Sequence, residues 1–235
     1  MLLIASTDTE VGKTVVTAAL LAYAQKYYPQ NNWRVLKPIQ CGIGDREFYH
    51  ALLDGALPLA DINPVYFDAS LAPPLAAAKM GTEVDLGLAW QTLQRFQQQG
   101  DRVLVEGIGG LGTPITAELV VADLARDWHL PTVLVVPVKL GAIGSAVTNV
   151  ALARQYNVDL RGIILNCSHP CSDEEIANLA SPELIQSLTH VPILGCIPHL
   201  ADLQNLDCLA AAAARLDLEI LFAGALPQPA GVSNL

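Results

Sequence analysis

Charge is scarce in this chain of 235 residues: 15% are Asp, Glu, Lys or Arg, and only 6% are aromatic. Positive charge is scarcest. Thirteen basic residues face 23 acidic ones, for a net charge of −10, and the lysines are just Lys13, Lys26, Lys37, Lys79 and Lys139. So acidic a balance leaves no electrostatic footprint for nucleic acid or for an anionic membrane surface. The cysteines, Cys41, Cys167, Cys171, Cys196 and Cys208, are odd in number. They argue against a secreted disulfide framework and for a reducing, cytoplasmic setting. Cys167 and Cys171 flank His169, but no second ligand pair stands at structural-zinc spacing. With a strand-like run at the very start, no signal peptide is expected. The longest uncharged stretch, Leu184 to Ala201, holds two prolines and two histidines and reads as loop plus strand rather than a membrane span.

What is abundant is apolar: 52% of the residues. A chain of this length can bury roughly 70–75% of its unfolded surface and needs no metal or disulfide to support its core. Strand-like runs at Leu2–Ala5, Arg34–Lys37, Arg102–Glu106, Thr132–Val136, Gly162–Asn166 and Ile193–Ile197 alternate with helical patterns. The helices are expected at Lys13–Lys26, Asp85–Gln99, Glu118–Trp128, Ser145–Gln155, Asp173–Leu188 and Leu203–Leu216. Near-continuous β-branched strands such as Val133 to Val136 belong in a sheet covered on both faces. The expected fold is therefore α/β: one doubly wound, mostly parallel sheet with helices on both sides. A single domain over 1–222 would be followed by a loosely attached tail, 223–235, which has three Pro or Gly after residue 226 and no charge. Trp33, Trp90 and Trp128 read as packing residues.

In such a sheet, ligands gather at the carboxyl ends of the strands. The first of these ends carries Thr7-Asp-Thr-Glu-Val-Gly-Lys-Thr14, between a strand and a helix. That is the setting of a phosphate-binding loop, with Thr7 where the strict pattern has its first glycine. Its backbone N–H groups and the helix N-terminus would hold phosphate, Lys13 would reach the terminal phosphates, and the Thr14 hydroxyl would meet Mg²⁺. Glu106, followed by Gly107-Ile108-Gly109-Gly110, is placed to be a second magnesium ligand, and the glycines would let phosphate approach the backbone. Asp45 is either another such carboxylate or a solvated turn residue. Lys37, held at a strand end by Pro38, would add a second positive charge toward the phosphate. Asn166 could meet a purine edge or simply end a strand. The N–H groups of Ala142, Ile143 and Gly144 could bind a carboxylate.

Taken in order, the motifs resemble the dethiobiotin synthetase family over about residues 2–205. They are Thr-Asp-Thr-Glu-Val-Gly-Lys-Thr at 7–14, Lys-Pro-Ile-Gln at 37–40, Val-Glu-Gly-Ile-Gly-Gly at 105–110, Leu-Gly at 140–141, Asn166, and Gly-Cys-Ile-Pro at 195–198. The resemblance implies a P-loop NTPase-type fold and an ATP-dependent ring closure. CO₂ and 7,8-diaminononanoate (7,8-diaminopelargonate) would become dethiobiotin, with ADP and phosphate released. It further implies that Glu10, Val11, Gly12, Lys13, Thr14 and Val15 cradle the phosphates, and that Thr14, Asp45 and Glu106 hold Mg²⁺. Lys37 would be the catalytic lysine, with Lys13 beside it. Thr9 and Cys41 would lie near the diamine; Asn166 and Cys167, with Pro198, His199 and Leu200, would frame the adenine. The enzyme would be a homodimer in which the substrate carboxylate reaches the partner's loop, Leu140-Gly141-Ala142-Ile143-Gly144.

Three departures stand out. Ser6 replaces a usual Gly, so the turn after the first strand is expected to accommodate a Cβ. Cys41 replaces Ser or Thr, a weaker hydrogen-bonding group. Gly144-Ser145 replaces Asn-His. The competing class is a Min/Par-type P-loop ATPase switch, which carries an extra early lysine in its loop where this chain has Ser6-Thr7-Asp8. A cobyrinate-type amide ligase would need a glutaminase domain for which no chain remains.

Overall fold

Leu2–Ser6 forms the first strand, β1, with all five residues buried, and leads through the phosphate-loop sequence into α1 (Lys13–Tyr27). These elements belong to a computed structural model that describes residues 1–222; the tail expected at 223–235 lies outside the described residues. Next come β2 (Trp33–Leu36), β3 (Ile39–Cys41), α2 (Asp45–Leu52), α3 (Leu59–Ile62), β4 (Val65–Phe67), α4 (Pro73–Lys79) and α5 (Leu86–Gln98). The second half alternates strictly: β5 (Arg102–Glu106), α6 (Val121–Asp127), β6 (Thr132–Pro137), α7 (Ala142–Gln155) and β7 (Leu160–Asn166). It closes with α8 (Asp173–Ala180), α9 (Pro182–Thr189), β8 (Ile193–Ile197), α10 (Leu206–Ala213) and α11 (Leu218–Leu221).

The main sheet has the order β2-β5-β1-β6-β7-β8, and every pairing in it is parallel. Its strands are apolar on both faces because helices cover both faces; all six residues of β6 are buried. From β1 the chain crosses to β2 on one side, and later connections run out to β8 on the other. The carboxyl end of β1 thus lies at the switch point where open sheets bind ligands. α1 is buried nearly all round, from Val16 to Ala24, and its Ala-rich surface packs against α10.

The expected strands are all present, with ends shifted by a residue or two. Four corrections concern helices and one concerns a whole region. The helix expected over Asp173–Leu188 is two, because Ser181 caps a new start by accepting from Leu184 N–H and Pro182 occupies its first turn. α6 begins at Val121 rather than Glu118, since 115–120 folds into a turn with Ile115 N–H bonded to Leu119 O. α7 begins at Ala142, three residues before expected, behind Gly141 at φ +89°. α10 is shorter than the expected Leu203–Leu216, starting after the Asn205 cap. The segment between residues 39 and 79, left without elements by the sequence, builds α2, α3, α4 and a separate two-stranded parallel sheet of β3 and β4. Among the described residues no helix is long and apolar enough to cross a membrane.

Candidate active site

The phosphate loop closes on Gly12, which stands at φ +91° just before α1, and no side chain caps the free N–H groups behind it. A side chain at this position would be strained and would also collide with Asn166, whose Nδ2 lies 2.0 Å from where a Cβ would sit. Glu10 takes the left-handed conformation as well, at φ +55°. Such turns point successive N–H groups inward, making a concave anion site at the positive end of the α1 dipole.

Lys13 is buried and its Nζ donates to Ser6 Oγ (2.9 Å), Gly109 O (3.0 Å) and Asp8 O (3.1 Å). Burial, and then the neighbouring Lys37 charge, bring its pKa down to about 8, against the pull of Glu106, Asp45 and Asp8. Ser6 is the fully buried last residue of β1. Its Cβ therefore asks nothing special of the turn; its hydroxyl reaches the carbonyls of Asp8 and Gly109 and accepts from Lys13. The position read as a departure is part of the lysine's setting.

Lys37 is enclosed. Its Nζ pairs with Asp45 Oδ2 at 2.5 Å and Glu106 Oε1 at 2.7 Å. Burial opposes its charge, but the two carboxylates outweigh that and raise its pKa. The lysine's backbone is clamped by the region that sequence left unassigned: Lys37 N–H donates to Ile62 O, and buried Asn63 Nδ2 donates to Lys37 O, each at 2.7 Å. Asp45 arrives on the first turn of α2, after β3, rather than from a simple loop after the second strand. That turn is secured by Gln40 Oε1, which accepts Arg46 N–H at 2.9 Å, and by the Arg46 guanidinium stacked 3.3 Å from the Tyr66 ring centre. Burial works to raise the Asp45 pKa, yet Lys37, with help from Thr14, holds it below the usual carboxylate value.

The Thr14 hydroxyl stands 3.0 Å from Asp45 Oδ1 and 3.1 Å from Glu106 Oε1. One hydroxyl and two carboxylates thus converge beside the phosphate loop. This all-oxygen set suits Mg²⁺, which favours one or two carboxylates plus substrate phosphates. Tyr49, which belongs to none of the sequence motifs, is fully buried and donates its hydroxyl to Glu106 Oε2. Burial and the Glu106 charge push its pKa well up, keeping the phenol protonated.

A cavity of about 750 Å³ opens over this cluster, lined by Thr9, Glu10, Val11, Gly12, Lys13, Thr14, Lys37, Cys41, Asp45, Glu106, Ile108 and Gly109, and also by Gln40 and Thr113. Cys41 is half-buried, and burial carries its thiol up to about 11 despite Lys37. Val15 and Gly107 lie next to lining residues without facing the cavity. Asn166 sits behind the loop, with Nδ2 on Val11 O at 3.0 Å and Oδ1 buried without a partner. Cys167 N–H bonds Ile197 O at 3.0 Å, which brings Asn166 and Cys167 beside Pro198, His199 and Leu200. The loop Leu140 to Gly144 does not reach this cavity; Leu140 points to solvent, 88% exposed. Tyr49 carried one sequence signal: four residues after Asp45, it shares a helix face with it once α2 is known.

A protein from Crocosphaera subtropica named ATP-dependent dethiobiotin synthetase BioD is 53% identical over 94% of this chain and 99% of its own length. A protein of the same name from Gloeothece citriformis is 51% identical over 94% of this chain and 97% of its own. The chain belongs to the ATP-dependent dethiobiotin synthetase family. A family model described as an AAA domain also matches residues 1–207. Dethiobiotin synthetase membership makes the chain an ATP-dependent enzyme of the cyclo-ligase class, with a role in biotin biosynthesis. Among solved structures, the cell division ATPase MinD of Pyrococcus furiosus superposes with a TM-score of 0.56 at 13% identity, covering 93% of this chain and 97% of that one. MinD from Aquifex aeolicus gives 0.54 at 16%, covering 94% and 95%. At such identities the likeness establishes a shared P-loop α/β fold and nothing of the activity. The Min/Par switch reading is not favoured.

Proposed function

We propose that this dethiobiotin synthetase closes the ureido ring of dethiobiotin from 7,8-diaminononanoate, CO₂ and ATP. The observation that carries the reading is Lys37, buried beside Lys13 and between Asp45 and Glu106, lining a cavity large enough for phosphate and substrate together. One amine of the diamine takes up CO₂ as a carbamate with loss of a proton. A carbamate oxygen attacks the γ-phosphorus, and ADP leaves. The second amine then attacks the carbamoyl carbon, phosphate departs, and the ring is closed.

Each step makes or moves negative charge, and the residues supply fixed positive charge where it develops. The loop N–H groups from Glu10 to Val15 hold the β- and γ-phosphates, and Lys13 leaves its three protein oxygens for them. Lys37 faces the carbamate and the transferred phosphoryl group, its charge maintained by the carboxylates behind it. Mg²⁺, bound by Thr14, Asp45 and Glu106, would neutralise phosphate oxygens. Thr9 and Cys41 line the diamine side of the cavity. Asn166 Oδ1 is an unpartnered acceptor suited to a purine amino group, with Cys167 and Pro198 to Leu200 alongside. We place the enzyme in the cytoplasm as a homodimer, in which the N–H groups of Ile143 and Gly144 opening α7, beside exposed Leu140, serve the partner's substrate carboxylate; the Ala142 N–H is already taken by Lys139 O at 3.1 Å.

Purified protein supplied with the diamine, bicarbonate, ATP and Mg²⁺ should form dethiobiotin, and the gene should rescue a biotin-requiring strain lacking this step. ATP hydrolysis without either result would overturn the reading in favour of a switch ATPase. Lys37→Ala should lower turnover at least about 100-fold, the loss typical of removing an oxyanion-stabilising group, and still bind ADP. Near-normal turnover in that variant would exclude Lys37 from the chemistry.

A further inference from the structure

Glu106 is completely enclosed, and its two oxygens have different neighbours. Oε1 is shared by Lys37 Nζ at 2.7 Å and Thr14 Oγ1 at 3.1 Å, while Oε2, among the side chains of the described residues, receives only the Tyr49 hydroxyl. A glutamate carboxylate turns easily about its last torsion and, left alone, can present either oxygen or both. Here a phenol rooted in α2 holds one of them back. The same helix delivers Asp45, one turn earlier on the same face, so α2 brings a carboxylate to Lys37 and a hydroxyl to the other carboxylate.

A phenylalanine would fill the space under α2 equally well, packing edge-on against Phe48 as Tyr49 does with ring centres 5.4 Å apart. A buried hydroxyl must find a partner. The nearest backbone acceptor is Thr14 O at 3.4 Å, and the closer bond goes to Glu106. We propose that Tyr49 is a positioning residue which locks Glu106 so that only Oε1 faces the phosphate side, giving one-oxygen ligation of the divalent cation. The inference rests on Glu106 being a metal ligand, as argued above. Outer partners of this kind typically alter metal affinity 10–100-fold.

The test uses Mn²⁺ as a paramagnetic probe, titrated into the ADP complex of the full chain and read by electron paramagnetic resonance. Tyr49→Phe should weaken Mn²⁺ binding about tenfold while ADP affinity without metal stays within about twofold. In a Glu106→Gln background, Tyr49→Phe should add nothing. Unchanged Mn²⁺ affinity in Tyr49→Phe, or an equal loss in both backgrounds, would overturn the inference; the second result would mean a merely structural role. If Glu106→Gln itself leaves Mn²⁺ affinity intact, the ligand assignment fails first, and the two failures are told apart. A second measurement, which does not use Tyr49→Phe, covers the case in which that variant does not fold. The infrared carboxylate bands of Glu106, taken as the difference from Glu106→Gln with Mg²⁺ and ADP bound, should show the wide splitting of one-oxygen ligation. The narrow splitting of a chelating carboxylate would sink the proposal.

Discussion

Cys41 illustrates how a single position changes meaning between chain and fold. In the sequence it stands where the family resemblance leads one to expect a hydroxyl residue near the diamine; in the structure it lines the cavity with its thiol raised to about 11 by burial. At pH 8 such a thiol is ionised in only about one molecule in a thousand, and the thiolate is the reactive form. Under native conditions iodoacetamide at pH 8 should therefore label exposed Cys208 and largely spare Cys41, as read by peptide mass spectrometry. Labelling of Cys41 should rise about tenfold per pH unit until about 11, and labelling at the rate of Cys208 would contradict the burial argument. Ser6 makes the complementary point. Its identity was legible, but its role was not, because its partner Gly109 lies 103 residues away.

At the scale of elements, the regular helices and central strands were legible because they are long enough to show a period. The stretch containing β3, α3 and β4 was not: its pieces have three or four residues each, too short for either periodicity to register. Yet Ile62 and Asn63 from that stretch clamp Lys37. The break at Ser181-Pro182 has the residues of a helix start, but the apolar pattern continues through it and masks the boundary. The α1–α10 contact depends on small residues: Ala18, Ala19, Ala210 and Ala213 are wholly buried. Ala213→Leu should overpack it at a cost of about 1–3 kcal/mol. Calorimetry should show a melting temperature lower by about 2–12 °C for a protein of this size; an unchanged value would mean the interface has room to spare.

For the whole molecule, the cavity belongs to one chain, while the loop expected to hold the substrate carboxylate lies apart from it with Leu140 in water. That separation is what the proposed dimer would bridge. Sedimentation should give twice the 25.0 kDa of one chain. Leu140→Asp, which replaces an exposed apolar side chain with a charge, should shift the equilibrium toward monomer and raise the KM for the diamine, with the KM for ATP held within about twofold, since a lost contact acts only on the ligand it touches. A variant that stays dimeric with both KM values unchanged would remove this loop from the interface and the substrate site.

Residue order alone determined the phosphate loop, the alternation of buried strands with helices, and the family. These are carried by neighbours in sequence, and local spacing encodes them. Only the tertiary structure decided that Thr14, Lys37, Asp45, Tyr49 and Glu106 form one cluster. Thr14 meets partners 31 and 92 residues away, and Lys37 meets one at 69. The physical reason is that a parallel sheet joins strands distant in sequence. The side chains at their ends acquire neighbours, burial and shifted proton affinities only when the crossovers bring those ends together.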